Sequence, residues 1–209
     1  MVICKIDQKI IGWKLGKQNK STTLRPDTIN QSIAPKRPLS LPCDIRKAKV
    51  NGEAWTIFVG LLDGHPYELF GGLSKYVDIP NKYKTGTIVK NGKVNGVTSY
   101  NLVIGEGEDQ MTIKDISNVF ENATYGTFTR TISLALRHGT PPQYVMEQLS
   151  KDKYSDMTSF SKVMARVLKS YVKDGTMSSE KVCPSCKQEN TLKYQEGCIS
   201  CVCGYSKCG

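Results

Sequence analysis

Apolar and polar residues change period twice along this 209-residue chain. Between residues 45 and 104 the apolar positions fall in short runs broken by turn pairs. Asn51-Gly52 separates IRKAKV from EAWTIFVGLL, and Asp63-Gly64 separates that run from YELFGG. Such pairs between apolar runs predict tight hairpins. In the middle run Trp55, Ile57, Val59 and Leu61 share one face of a strand. Asn91-Gly92 and Asn95-Gly96 sit among TGTIVK and VTSYNLVIG. The pattern predicts an antiparallel β-meander of about four to six short strands.

From residue 112 the period turns helical, with Ile113, Ile116 and Phe120 at helical spacing. FTRTISLALRHG ends in Arg137, His138 and Gly139, a helix stop. TPPQ follows, with Thr140 expected as N-cap, prolines in the first turn and Gln143 placed to close a capping box. Phe160, Val163, Met164, Val167, Leu168 and Tyr171 then trace the clearest amphipathic stripe in the chain. These stripes read as core. Strands followed by helices predict an α+β fold.

The flanks carry no such period. Residues 17–40, KQNKSTTLRPDTINQSIAPKRPLS, are polar, basic and interrupted by Pro26, Pro35 and Pro38. A stretch of that kind buries too little apolar surface to offset its ordering entropy. Residues 1–40 are therefore expected to be a basic arm or linker, and 41–173 the globular domain. KDGTMSSEK predicts a linker over 174–181, with a cysteine-rich tail at 182–209.

Composition adds limits. Apolar residues make up 39% and charged residues 23%, the balance of a globular protein, and no apolar run approaches a membrane span. The opening MVICKIDQKIIGWKLGK breaks its apolar residues with Lys5, Asp7 and Lys9, so a cytoplasmic location is expected. Residues 1–50 hold eleven Lys or Arg against three Asp, most of the net charge of +10. A basic surface of this kind attracts nucleic acid or an acidic partner. Aromatic residues are not interleaved with the basic ones, however, and no basic recognition helix is evident.

The chemistry lies in the tail. CPSC and CISC, eleven residues apart, form two C-x-x-C knuckles. In a reducing compartment such pairs bind metal or act as redox couples. The spacing favours a structural zinc held by Cys183, Cys186, Cys198 and Cys201, the competing reading being two independent redox pairs. A tail this short needs metal to fold. Cys203 and Cys208 are then surplus, either a dithiol able to exchange, with Lys207 favouring thiolate, or leftover terminal cysteines. Cys4 and Cys43 stand alone and read as small core residues. Neither His65 nor His138 sits beside a carboxylate cluster or a cysteine in sequence, and GEGED at 105–109 lacks a phosphate-cradling pattern. No constellation for nucleophilic or acid–base catalysis is apparent, so the main active site of any reaction served is expected elsewhere.

LPCDIRKAKVNGEAWTIFVGLLDGHPYELFGG, FTRTISLALRHGTPPQYVMEQLSKD, SFSKVMARVLKSYV and CPSC…EGCISCVCGYSKC together resemble the C-terminal region of class II, adenosylcobalamin-dependent ribonucleotide reductases, including its TSCPD domain. The match runs over about residues 36–209 and is most specific at the EGC…CGYSKC ending. GWKLG at 12–16 resembles the segment where that family's catalytic barrel finishes. In the family a ten-stranded barrel binds adenosylcobalamin and carries the radical cysteine and the pair oxidised to a disulfide. Nothing here corresponds to them. The resemblance implies the C-terminal component of a split reductase, serving a catalytic barrel partner and recharged by a thioredoxin-like reductant. It also implies that Cys203 and Cys208 are the relay dithiol, as the family's terminal cysteines carry electrons into the barrel. The family ending spells E-G-C-x-x-C-x-x-C-G-Y-S-K-C, whereas only Val202 separates Cys201 from Cys203 here. Cys201 with Cys203 would be a cramped chelate, which favours Cys198 and Cys201 as ligands. The alternative function is a basic zinc-ribbon module that contacts nucleic acid.

Overall fold

The computed structural model describes residues 2–6, 9–14, 33–94, 96–120, 123–153 and 155–208. The chain divides into two compact units, Met1–Ile33 and Ala34–Gly209. In the first, strands β1 (Val2–Ile6) and β2 (Lys9–Lys14) pair antiparallel, with Cys4 opposite Gly12. Residues 15–32 of the segment expected as an arm, which include Leu15 and Gly16 of GWKLG, lie outside the described residues.

The second unit is α+β. Its six-stranded antiparallel sheet comprises β3 (Ser40–Val50), β4 (Glu53–Leu62), β5 (His65–Leu73), β6 (Thr85–Val94), β7 (Val97–Ile104) and β8 (Met111–Ile113). The strand order is β5-β4-β3-β6-β7-β8. Two three-stranded meanders thus join through the β3–β6 pair, rather than forming one continuous meander. The Asn51-Gly52 and Asp63-Gly64 turns take positive φ at both residues (49° and 85°, 51° and 77°), matching the twist of the flanking strands. Asn91-Gly92 is different: it lies inside β6, where the register against β7 slips between Lys90 and Lys93.

Both faces of the sheet are covered, and alternation along β4 assigns its side chains. Trp55, Ile57 and Val59 are buried beneath the helices α1 (Ala123–Arg137), α2 (Pro142–Ser150) and α3 (Phe160–Lys169), against Ile132, Met146, Val163 and Leu168. Trp55 stands 4.7 Å from the Tyr125 ring and 5.3 Å from Phe160. Phe58 points the other way, into a second core with Ile79, Ile88, Leu102, Ile104 and Ile116.

That second core corrects the helix expected from residue 112. Met111–Ile113 is a strand on β7, Asp115 takes φ 48°, and the Ile116 N–H donates to the Tyr100 carbonyl. The spacing of Ile113, Ile116 and Phe120 comes from a turn that folds apolar side chains onto the sheet. The helix after it stops at Gly139 as expected. Gly139 has φ 80°, and the Gly139 and Thr140 N–H groups donate to the Leu136 and Ala135 carbonyls, a Schellman closure. Thr140 is therefore spent on that closure. The N-cap of α2 is Pro141, and Gln143, instead of closing a capping box, is buried and donates to the Met177 carbonyl.

A carboxylate sits fully buried in β5. Glu68 accepts from Arg37 at 2.7 Å and from Arg137 at 3.0 Å. Gly60 on the neighbouring strand makes the room, since a Cβ there would meet Glu68 Cγ at 2.7 Å. Arg37, from the end of the expected arm, also donates to the Pro38 and Ile88 carbonyls and lies over Tyr100. Removing one member of a buried ion cluster leaves uncompensated charge. Glu68→Ala is expected to destabilise the domain by about 3 kcal/mol, read as a lower urea midpoint.

Candidate metal and thiol site

The tail folds as a small ribbon of β9 (Leu192–Gln195), β10 (Cys198–Cys201) and β11 (Ser206–Lys207), in the order β11-β10-β9. It does not hang from a free linker. The N–H groups of Gly175 and Ser178 donate to the Tyr194 and Leu192 carbonyls, and Tyr194 N–H donates back to Thr176. Tyr194 is buried among the residues of the helical core, and its hydroxyl donates to Glu147 of α2.

Before β9 the chain makes a tight knuckle. Cys183 N–H donates to the Gln188 carbonyl, Lys187 N–H donates to the Cys183 carbonyl, and Lys187 adopts φ 61°. After β10 a second knuckle closes, with Cys201 N–H donating to Tyr205 and Gly204 N–H, at φ 92°, donating back to Cys201. The knuckles bring the sulfurs of Cys183, Cys186, Cys201 and Cys203 within 4.8 Å of one another. Cys183 and Cys203 are 3.7 Å apart and Cys186 and Cys201 3.8 Å.

This exchanges two residues relative to the sequence expectation: Cys203 joins the cluster and Cys198 leaves it. Strand geometry is the reason. Cys198 and Cys201 bound a four-residue strand, and residues three apart on a strand point to opposite faces. The expected C-x-x-C knuckle needs a turn there. The turn comes after Cys201 instead, and it carries Cys203 back beside its neighbour. Cys198 is bonded to Cys208 in a disulfide. The register explains that pairing too: Ile199 opposes Lys207 and Ser200 opposes Ser206, so Cys208 falls opposite Cys198. Cys203 and Cys208 are thus not a pair. Lys207 is engaged by Glu180 at 3.0 Å.

The four clustered thiols suit a tetrahedral cation. Metal–sulfur bonds of about 2.3 Å place tetrahedral sulfurs about 3.8 Å apart, close to the separations of the two pairs above. The Cys203 backbone N–H and the Thr191 hydroxyl, 3.2 Å from the sulfur, hold the Cys201 thiol down to about 6. Cys186 is pushed up to about 11: the Gln188 backbone lowers it, but partial burial and the adjacent sulfurs outweigh that. Four thiolates this close repel one another unless a divalent cation sits among them. Cys183 is fully buried and Cys203 exposed, so the cluster lies just under the surface.

Cys43 is buried in the second core, and burial beside Asp44 raises its thiol far above the usual range. It is a packing residue. The sequence reading singled out neither Thr191 nor the Arg37–Glu68–Arg137 cluster. The alternating YELFGG run conceals the buried Glu68, which has no local signature.

Residues 41–173 match the family model described as NrdJ homologue C-terminal domain. No curated protein and no solved structure matches the chain. No helix among the described residues is long and apolar enough to cross a membrane.

The cluster makes a direct demand on metal content. The purified chain is expected to hold about one equivalent of zinc, lost in Cys203→Ser and retained in Cys198→Ser and Cys208→Ser, as read by elemental analysis.

Proposed function

This chain belongs to the NrdJ homologue C-terminal domain family, and from that premise we propose that it is the C-terminal component of a class II ribonucleotide reductase. In this reading it serves cytoplasmic deoxyribonucleotide synthesis by handing reducing equivalents to a separate catalytic barrel. Adenosylcobalamin and the radical cysteine belong to that barrel.

The observation that carries the proposal is the sorting of the six tail thiols. Four converge on one point, and the remaining two, Cys198 and Cys208, are joined to each other. The cluster suits zinc, which holds thiolates without redox change of its own and so leaves the cluster structural. The other pair is then the redox couple. Cys208 is exposed and Cys198 partly so, which gives an incoming thiolate access to their bond.

The exchange runs in two halves. As a dithiol, Cys198 and Cys208 transfer two electrons to the disulfide left in the barrel after each ribose reduction, through a mixed disulfide, and become the disulfide seen here. An external dithiol then reverses the change. The zinc-ordered ribbon keeps the two sulfurs opposite each other through both halves, so the bond re-forms without a search.

The test is turnover. The chain, added to a class II barrel that lacks its own C-terminal cysteines, is expected to support many cycles with thioredoxin as reductant. Cys208→Ser is expected to reduce this to about the single turnover of the pre-reduced barrel, without changing that first turnover. Multiple turnover undiminished by Cys208→Ser would overturn the relay.

A further inference from the structure

The outward side of α1 carries little charge for a helix that meets water. Thr124, Thr127, Phe128, Thr131 and Leu134 are exposed, and of its fifteen residues only Arg130 and Arg137 are charged. Surface helices normally set a charged face toward solvent. Here Leu134 is 57% exposed, and Tyr144 on the neighbouring α2 is 48% exposed. Apolar side chains grouped in this way mark an interaction surface.

Two grooves flank this ridge. One, of about 770 Å³, separates it from α2 and is lined by Phe128, Thr131, Tyr144 and Leu149, with no charged residue. The other, of about 530 Å³, separates it from β5, β7 and the turn at 116–120. That groove holds Arg130, Leu134 and Arg137 opposite Val97, Tyr100 and Phe120. Among the described residues no carboxylate lines either groove. The arginines are held without being neutralised. Arg130 donates to the Thr127 hydroxyl, and no described carboxylate pairs with it. Arg137 shares the single carboxylate of Glu68 with Arg37, which leaves that cluster positive, and its Nε is buried without an acceptor. Asp115, beside the turn, is engaged by Ser117 and Asn118. Arg130, Leu134 and Arg137 stand at i, i+4 and i+7, one stripe of the helix about 10.5 Å long.

We propose that the outer face of α1 receives an amphipathic helix of another protein, whose contact stripe carries two carboxylates seven residues apart with a large apolar side chain between them. Carboxylates at that spacing match Arg130 and Arg137, and the apolar residue between them covers Leu134. Side-chain ridges of the incoming helix fill the grooves on either side of α1. The complementarity is one of charge as well as shape, because the face offers cations and no anion. A second copy of this chain is the wrong occupant for the same reason. A twofold pairing of α1 with itself would set arginines on a surface that supplies no carboxylate to meet them. The docking uses none of the tail thiols and is independent of the relay.

The probe is a fluorescein-labelled, alanine-rich helical peptide with two glutamates seven residues apart and a leucine midway. Its twin carries glutamine at both acidic positions. With the full chain titrated into each and anisotropy recorded, the glutamate peptide is expected to bind about tenfold more tightly than its twin. Arg130→Glu is expected to abolish that preference, and Leu134→Ala to weaken both peptides by about tenfold. Both side chains are exposed, so neither change strips the core, and an unchanged urea midpoint checks that the variants fold. Equal binding of the two peptides by the parent chain would overturn the proposal. So would a chain that sediments as a dimer and becomes a monomer in Leu134→Ala, since the face would then be a contact between copies.

Discussion

Convergence of four sulfurs is the constraint on which the ribbon depends. Its own apolar core is little more than Leu192, with Ile199 and Tyr205 partly buried against it. That is far too small to order some twenty-five residues by burial. A cation held by the four sulfurs would supply the missing cross-link, and the strand register is consistent with it. Once Cys201 and Cys203 are fixed beside Cys183 and Cys186, β10 must run away from the cluster with Cys198 at its far end. The return strand then brings Cys208 opposite. The disulfide thus follows from where the cluster forms, and the two are separated by the length of one short strand.

The rest of the domain provides a fixed platform. The sheet is covered on both faces, by three helices on one side and by the turn and loop residues around Ile79, Ile116 and Phe120 on the other. The buried Glu68 ties the chain before β3, the strand β5 and the end of α1 to a single point. The Tyr171 hydroxyl, just beyond α3, donates to Asp44 on β3. These contacts tie β3, β5, the end of α1 and the chain just beyond α3 together beneath the helical layer.

Much of this was legible from local pattern. The two hairpins with positive φ at both turn residues, the alternation in β4 and the stripe of α3 all follow from turn chemistry and period, which act over a few residues. What was not legible depends on distant partners. The spacing at 113–120 mimics a helix because a turn and a helix can both bring every third residue inward. The capping box expected at α2 needed the Thr140 N–H for Gln143, and the closure of α1 uses that N–H instead. In the tail, C-x-x-C at 198–201 has the spacing of a metal knuckle, and only the pairing of β10 on both sides makes it a strand. The C-x-C that looked cramped is relieved by Gly204, whose φ of 92° lets the chain reverse immediately.

Tyr194 has a consequence for motion. It is at once a ribbon residue and a member of the helical core, 2% exposed. In the relay reading the ribbon must lift off the helices to reach a remote acceptor, and this aromatic ring must enter water when it does. Exposing a side chain of that size costs about 2 kcal/mol, in addition to the loss of its hydrogen bond to Glu147. The ring thus acts as a latch that fastens the ribbon to the helical layer.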